Sequence, residues 1–145
     1  MSFTTLLPYF RARLKTKHPD LEEWTNAFAV DNIPSTKLNK AYHLEFLPSN
    51  YVGTAHTALG YRCQVRLRVF VKGFAKPALA VDKALQYADT ITKECCKSTN
   101  RLSQPFIKNV LPISVDVKSL DITNDSVAYL DMTFECTIMI DPDAA

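Results

Sequence analysis

The sequence predicts an α+β fold: a four-stranded, mainly antiparallel sheet with two helices packed on one face, in the order helix, strand, strand, helix, strand, strand. Three observations carry that prediction. Tyr61, Cys63, Val65, Leu67, Val69 and Val71 alternate with Arg62, Gln64, Arg66, Arg68, Phe70 and Lys72, a period of two that buries one strand face and leaves the other polar and basic. The alternation returns from Ala128 to Ile140, where Leu130, Met132, Phe134, Cys136 and Ile138 fall on one side and Tyr129, Asp131, Thr133, Glu135 and Thr137 on the other. Between these stretches, Pro77 to about Lys97 sets Val81, Ala84, Leu85, Ala88, Ile91 and Cys95 along one helical stripe, a face that packs across the apolar side of a sheet.

The remaining elements follow in chain order. Phe3, Leu6, Leu7, Phe10 and Leu14 recur at helical intervals with Arg11, Arg13, Lys15 and Lys17 on the polar side, so a first amphipathic helix is expected, beginning only a few residues before Pro8. Asp20 with Glu23 three residues on reads as a short capped turn carrying Leu21 and Trp24. The apolar run Phe28 to Val30 is a candidate edge strand. Tyr42, Leu44 and Phe46 alternate with His43 and Glu45 in a half-buried strand that should stop at Pro48-Ser49-Asn50. Tyr51 to Gly60 then reads as a loop. Gly73 ends the long strand from Tyr61, and Pro77 suits a first helical turn, where the missing N–H costs nothing. After a polar link, Ile113, Val115 and Val117 form the next strand, and Thr123-Asn124-Asp125-Ser126 turns the chain into the last one.

The 145 residues read as one domain, residues 1–145, because no stretch resembles a hinge between two cores. Hydrophobic residues at 47% and charged residues at 22% suffice for a packed interior. A net charge of +2, from 17 basic and 15 acidic residues, is too balanced for a dedicated nucleic-acid binder. The N-terminus lacks a basic, apolar leader and no apolar run approaches the ~20 residues of a membrane span, so a protein made in the cytosol and free of membranes is expected. Cys63, Cys95, Cys96 and Cys136 show no metal-type CxxC spacing and read as reduced thiols.

Catalytic and cofactor signatures do not assemble. Gly53, Gly60 and Gly73 are too far apart to build a phosphate-cradling loop, and His18, His43 and His56 fall in three different segments without zinc spacing. The Cys95-Cys96 pair lies toward a helix C-terminus, where the dipole disfavours thiolate. No enzyme activity, metal or cofactor is therefore expected. The feature that asks for a partner is the basic stripe Arg62, Arg66, Arg68 and Lys72, on the sheet face the helices leave open. Glu45, Asp131 and Glu135 share that face if their strands are neighbours, and then cross-strand ion pairs account for part of it. Phe70 and Tyr129 interleave among the charges as interface residues do, so Arg62, Arg66, Arg68, Phe70, Lys72, Tyr51, Tyr129 and Glu135 are the candidate contact residues. Stacking aromatics spaced as in RNA-binding sheets are missing.

Several segments together resemble a known family. NAFAVDNIPSTK ahead of the first strand, YHLEFLPS closing it, GYRCQVRLRVFVKG, the helix AVDKALQYADTITKECC and the terminal AYLDMTFECTIMI are similar in order and length to the tail-terminator and tail-completion (neck ring) proteins of long-tailed bacteriophages, over Asn26 to Ile140. The resemblance implies a virion protein, assembled in the host cytoplasm, that closes into a ring, typically a hexamer. Such a ring caps the last tube ring, stops tube growth and offers a surface to the head–tail connector, with DNA passing through the lumen unread. Tyr51 to Leu59 and Lys97 to Asn109 are the loops nominated for ring contacts. The glycine-rich strand ends of the family are thinner here, which leaves another neck or minor tail ring as a sister role. A small anion- or nucleic-acid-binding module using Arg62, Arg66 and Arg68 is the alternative of a different class.

Overall fold

The structure, a computed structural model, describes residues 3–24, 40–55, 58–72, 77–97, 107–122 and 125–143. A single 3-10 turn, Phe3–Thr5, leads into α1 (Leu6–Lys17), followed by β1 (Glu22–Glu23), β2 (Ala41–Ala55), β3 (Ala58–Lys72), α2 (Pro77–Cys95), β4 (Ile107–Ile122) and β5 (Asp125–Ile140). The strands form one mixed sheet in the order β1-β2-β3-β5-β4, with β1 parallel to β2 and every other pair antiparallel. The α+β class and the two helices on one face are as the alternation predicts; the sheet has five strands instead of four. The fifth is β1, which occupies the position expected for a capped turn: Glu22 N–H donates to Lys40 O at 2.9 Å and Trp24 N–H to Tyr42 O at 2.7 Å. Two residues leave no periodicity to read, so only pairing to β2 reveals the strand. The candidate edge strand at Phe28 to Val30 lies outside the described residues.

The long hairpin β2–β3 corrects a second expectation. Its strands continue through most of the segment read as a loop, from Tyr51 to Ala55 and again from Ala58. Irregularities between Leu47 and Asn50 and between Tyr51 and Gly53 absorb Pro48, so the proline kinks the outer strand without ending it. Gly53 adopts φ +135°, a conformation that side chains oppose, and Gly60 sits across from it, where an added Cβ would lie 3.1 Å from the Gly53 carbonyl oxygen. β4 likewise begins before Ile113, at Ile107, interrupted near Asn109 and Pro112.

α1 buries Leu6, Tyr9, Phe10 and Leu14, and Pro8 falls in its first turn, among N–H groups that have no intrahelical acceptor anyway. α2 turns a stripe of Ala80, Ala84, Ala88, Ile91 and Cys95 to the sheet. Leu85, expected in that stripe, is instead about half exposed, because the small alanines define the contact line one step around the helix. Below the helices lie Cys63, Val65, Leu67, Val69 and Val71 of β3 and Ala128, Leu130, Met132, Phe134, Cys136 and Ile138 of β5, all buried. Phe10 stacks at a tilt on Phe134, centroids 5.2 Å apart, and Tyr9 Oη donates to Cys95 O at 2.7 Å, tying α1 to the last turn of α2.

Candidate functional site

All of the predicted contact residues except Tyr51 come together on the face opposite the helices, because register sets them there. Glu45 opposes Arg66 across β2 and β3, Arg68 opposes Asp131 across β3 and β5, and Gln64 opposes Glu135. The side chains close into ion pairs of graded burial. Arg68 makes a two-pronged contact with Asp131, Nε to Oδ1 at 2.7 Å and Nη2 to Oδ2 at 2.8 Å, with 14% and 18% of the two side chains exposed. Its guanidinium carbon also lies 4.5 Å from the centroid of the Tyr129 ring. Hydrogen bonding to Asp131 pushes the Arg68 pKa further up, so this charge is fixed. Arg66 Nη2 lies 2.6 Å from Glu45 Oε2, and Arg62 Nε reaches Glu135 Oε1 at 3.4 Å from an open position, 56% exposed.

The pairing reduces the basic character that the sequence suggested for this face. Among the described residues five cations, Arg62, Arg66, Arg68, Lys72 and Lys118, share it with five carboxylates, Glu22, Glu45, Asp116, Asp131 and Glu135. The face is a nearly neutral lattice of fixed charges, graded from a locked centre at Arg68 to a loose margin at Arg62. Phe70 departs from the contact role expected of it. It is fully buried, against Tyr129 at 6.0 Å, and so gives a partner no surface in this conformation. Tyr51 sits apart from the arginines, exposed at the far end of β2 and packed edge-on to Tyr61, with centroids 5.8 Å apart. Lys72 and Tyr129 are half-buried on the arginine face.

Other groups with chemical potential are placed for structure. Among the described residues no group of three or more His, Cys, Asp or Glu is arranged to hold a metal ion. Burial raises the thiol pKa of Cys63, Cys95, Cys96 and Cys136, which keeps all four protonated. His43, buried, bonds through Nδ1 to Trp24 O at 2.7 Å and anchors β2 to the residue after β1. Sequence reasoning missed a shallow cleft of about 240 Å³ between the end of α1 and α2, lined by His18, Lys83, Gln86, Tyr87 and Thr90. There His18 Nε2 lies 2.6 Å from Thr90 Oγ1, which itself donates to Gln86 O at 3.1 Å. The hydroxyl is thus turned into its own helix rather than offered as a nucleophile. No helix of the described residues is long and apolar enough to cross a membrane.

Comparison with known proteins leaves this geometry to speak for itself: no protein-family model matches the chain, and no curated protein matches it.

Proposed function

We propose that the protein is a structural assembly subunit, a ring component at the head-proximal end of a phage tail that ends tube growth and meets the head connector. The observation that carries this reading is the one-sided architecture: both helices cover one face of a long sheet, and the other face presents a rigid, charge-compensated surface. A surface of fixed, cross-paired charges with aromatic support suits repeated protein contact, where complementary charge selects the partner and fixes register. The family resemblance supplies the location, and the sister role of another neck or minor tail ring fits the same architecture. An anion or nucleic-acid site on Arg62, Arg66 and Arg68 is less favoured. Glu45, Asp131 and Glu135 already compete for those guanidinium groups, and a phosphate would have to displace them. Tail tubes assembled without a terminator test the proposal. Added protein should cap tube ends as a ring in negative-stain images and halt elongation; tubes that keep growing uncapped would refute it.

A further inference from the structure

Along α2, Lys83, Gln86, Tyr87 and Thr90 fall at i, i+3, i+4 and i+7, so they form one stripe on the flank of the helix. With His18 from the end of α1 they line the cleft of about 240 Å³, and each of the five carries a polar group but none is an acid. The neighbour fixes the state of His18. Thr90 Oγ1 donates to the carbonyl oxygens of Gln86 at 3.1 Å and Tyr87 at 3.2 Å, so it accepts from His18 Nε2, 2.6 Å away. The Tyr87 ring stands edge-on to the imidazole at 4.8 Å and holds its plane. Nδ1 is then the atom that titrates, and protonation there gives the cleft a second cation beside Lys83. The charges around it are unequal. Lys17 is close enough to oppose protonation of His18, and the acid that favours it, Asp20, also faces Lys40 Nζ at 3.6 Å. Three cations, Lys17, Lys40 and Lys83, thus stand around one carboxylate, whereas the arginine face matches its charges one for one.

We infer that this cleft binds a phosphoryl group, held by the ammonium of Lys83, the amide of Gln86, the phenol of Tyr87 and the protonated imidazole of His18. The inference stands apart from the assembly reading, which uses the opposite face of the sheet. A tetrahedral dianion accepts charge-assisted hydrogen bonds from several directions and calls for more than one cation, whereas a planar carboxylate with a single charge uses only part of such a set. Size agrees. The cleft is smaller than the ~300–1,000 Å³ of sites that enclose drug-sized ligands, which suits an ion or the phosphoryl end of a larger molecule. Tyr87 remains a donor, because burial and Asp20 both push its pKa up. Burial holds His18 below its ordinary pKa, and an anion in the cleft acts in the reverse sense. Anion binding and protonation of His18 are therefore linked, each favouring the other. A free phosphate or phosphate monoester and a nucleic-acid backbone present the same group.

NMR of the His18 ring in the full chain, followed from about pH 8 to 5, tests this. Sulfate is the first probe, because it stays a dianion across that range. Added against chloride at equal ionic strength, it should raise the His18 pKa by about one unit, which corresponds to about tenfold tighter sulfate binding by the protonated form. His43, which bonds to Trp24 O and shares the arginine face, should not move. Lys83→Gln, at an exposed position, should cut the His18 shift to less than about half of its wild-type size. Inorganic phosphate and a short DNA duplex then separate the sources. A response to phosphate but not to the duplex assigns a free ion or monoester, and a response to the duplex assigns the backbone; either sustains the site. A His18 titration that all three probes leave in place overturns it, as does a shift of equal size at His43 or one that survives intact in Lys83→Gln. A response confined to sulfate marks general anion attraction and overturns the phosphoryl assignment.

Discussion

Replacing Arg68 with methionine keeps the aliphatic stem but removes both hydrogen bonds to Asp131 and the cation over Tyr129. Breaking a buried pair from one side costs ~3–5 kcal/mol, whereas an exposed pair is worth ~0–1 kcal/mol. With 14% and 18% of the two side chains exposed, the Arg68–Asp131 pair lies nearer the buried limit, although water can still reach the stranded carboxylate. Asp131 would also be left opposite Asp116, its cross-strand neighbour on β4, whose charge only the exposed Lys118 offsets. Adding ~0.5–1 kcal/mol for the lost contact with the Tyr129 ring, the expected destabilisation is about 2–3 kcal/mol. For a domain of this size that lowers the melting temperature by roughly 5–10 °C. Urea denaturation of Arg68→Met, Asp131→Leu and the double variant closes a double-mutant cycle. The double variant should be no less stable than Arg68→Met, since it leaves no charge stranded. A loss below about 0.5 kcal/mol for the single variant, the value of a solvent-screened pair, would refute the claim that this face is rigidly fixed.

Two further outcomes follow from the same geometry. Burial lowers the His18 pKa below its ordinary value, against a smaller opposing pull from Asp20, so the folded protein binds this proton less readily than the unfolded chain. Stability should therefore be fully present above about pH 6.5, the unfolded value, and decline as pH falls toward the lowered folded pKa, and His18→Gln should flatten that decline in melting curves between pH 7 and 5. An unchanged slope would assign the acid sensitivity to other groups. Among the thiols, Cys63, Cys95 and Cys136 are buried and Cys96 is half-buried, so iodoacetamide labelling read by mass spectrometry should modify Cys96 first and the others only with unfolding; native labelling of Cys95 at a comparable rate would contradict the packing of α2.

Strand alternation and helical spacing made the centre of the molecule legible: β3, β5 and α2 bury one face each, and a single period explains each of them. The chain's outer parts were less legible, for identifiable reasons. β2 and β4 contain Pro48 and Pro112 and shift register beside them, which breaks the alternation that announces a strand. β1 is too short to have a period, and the exposure of Leu85 follows from how α2 is rolled on the sheet. The ion pairs depended on strand order. Glu45, Arg66, Arg68 and Asp131 are far apart in sequence, and only the placement of β5 beside β3, with β4 outermost, decides which acids reach which arginines. Phe70 falls in phase with Arg62, Arg66 and Arg68 in sequence yet is enclosed, because alternation names a side and not what else packs there.

Pro48 and Pro112 have a consequence beyond local irregularity. Neither has a backbone N–H to donate, so the donor row of each outer strand is broken at a fixed point. Uniform rows of that kind nucleate indiscriminate stacking and fibres, because any sliding offset is as good as another. A row with notches accepts only an offset that accommodates them, so the same prolines that disguise these strands in the sequence also limit how any further strand could align along them.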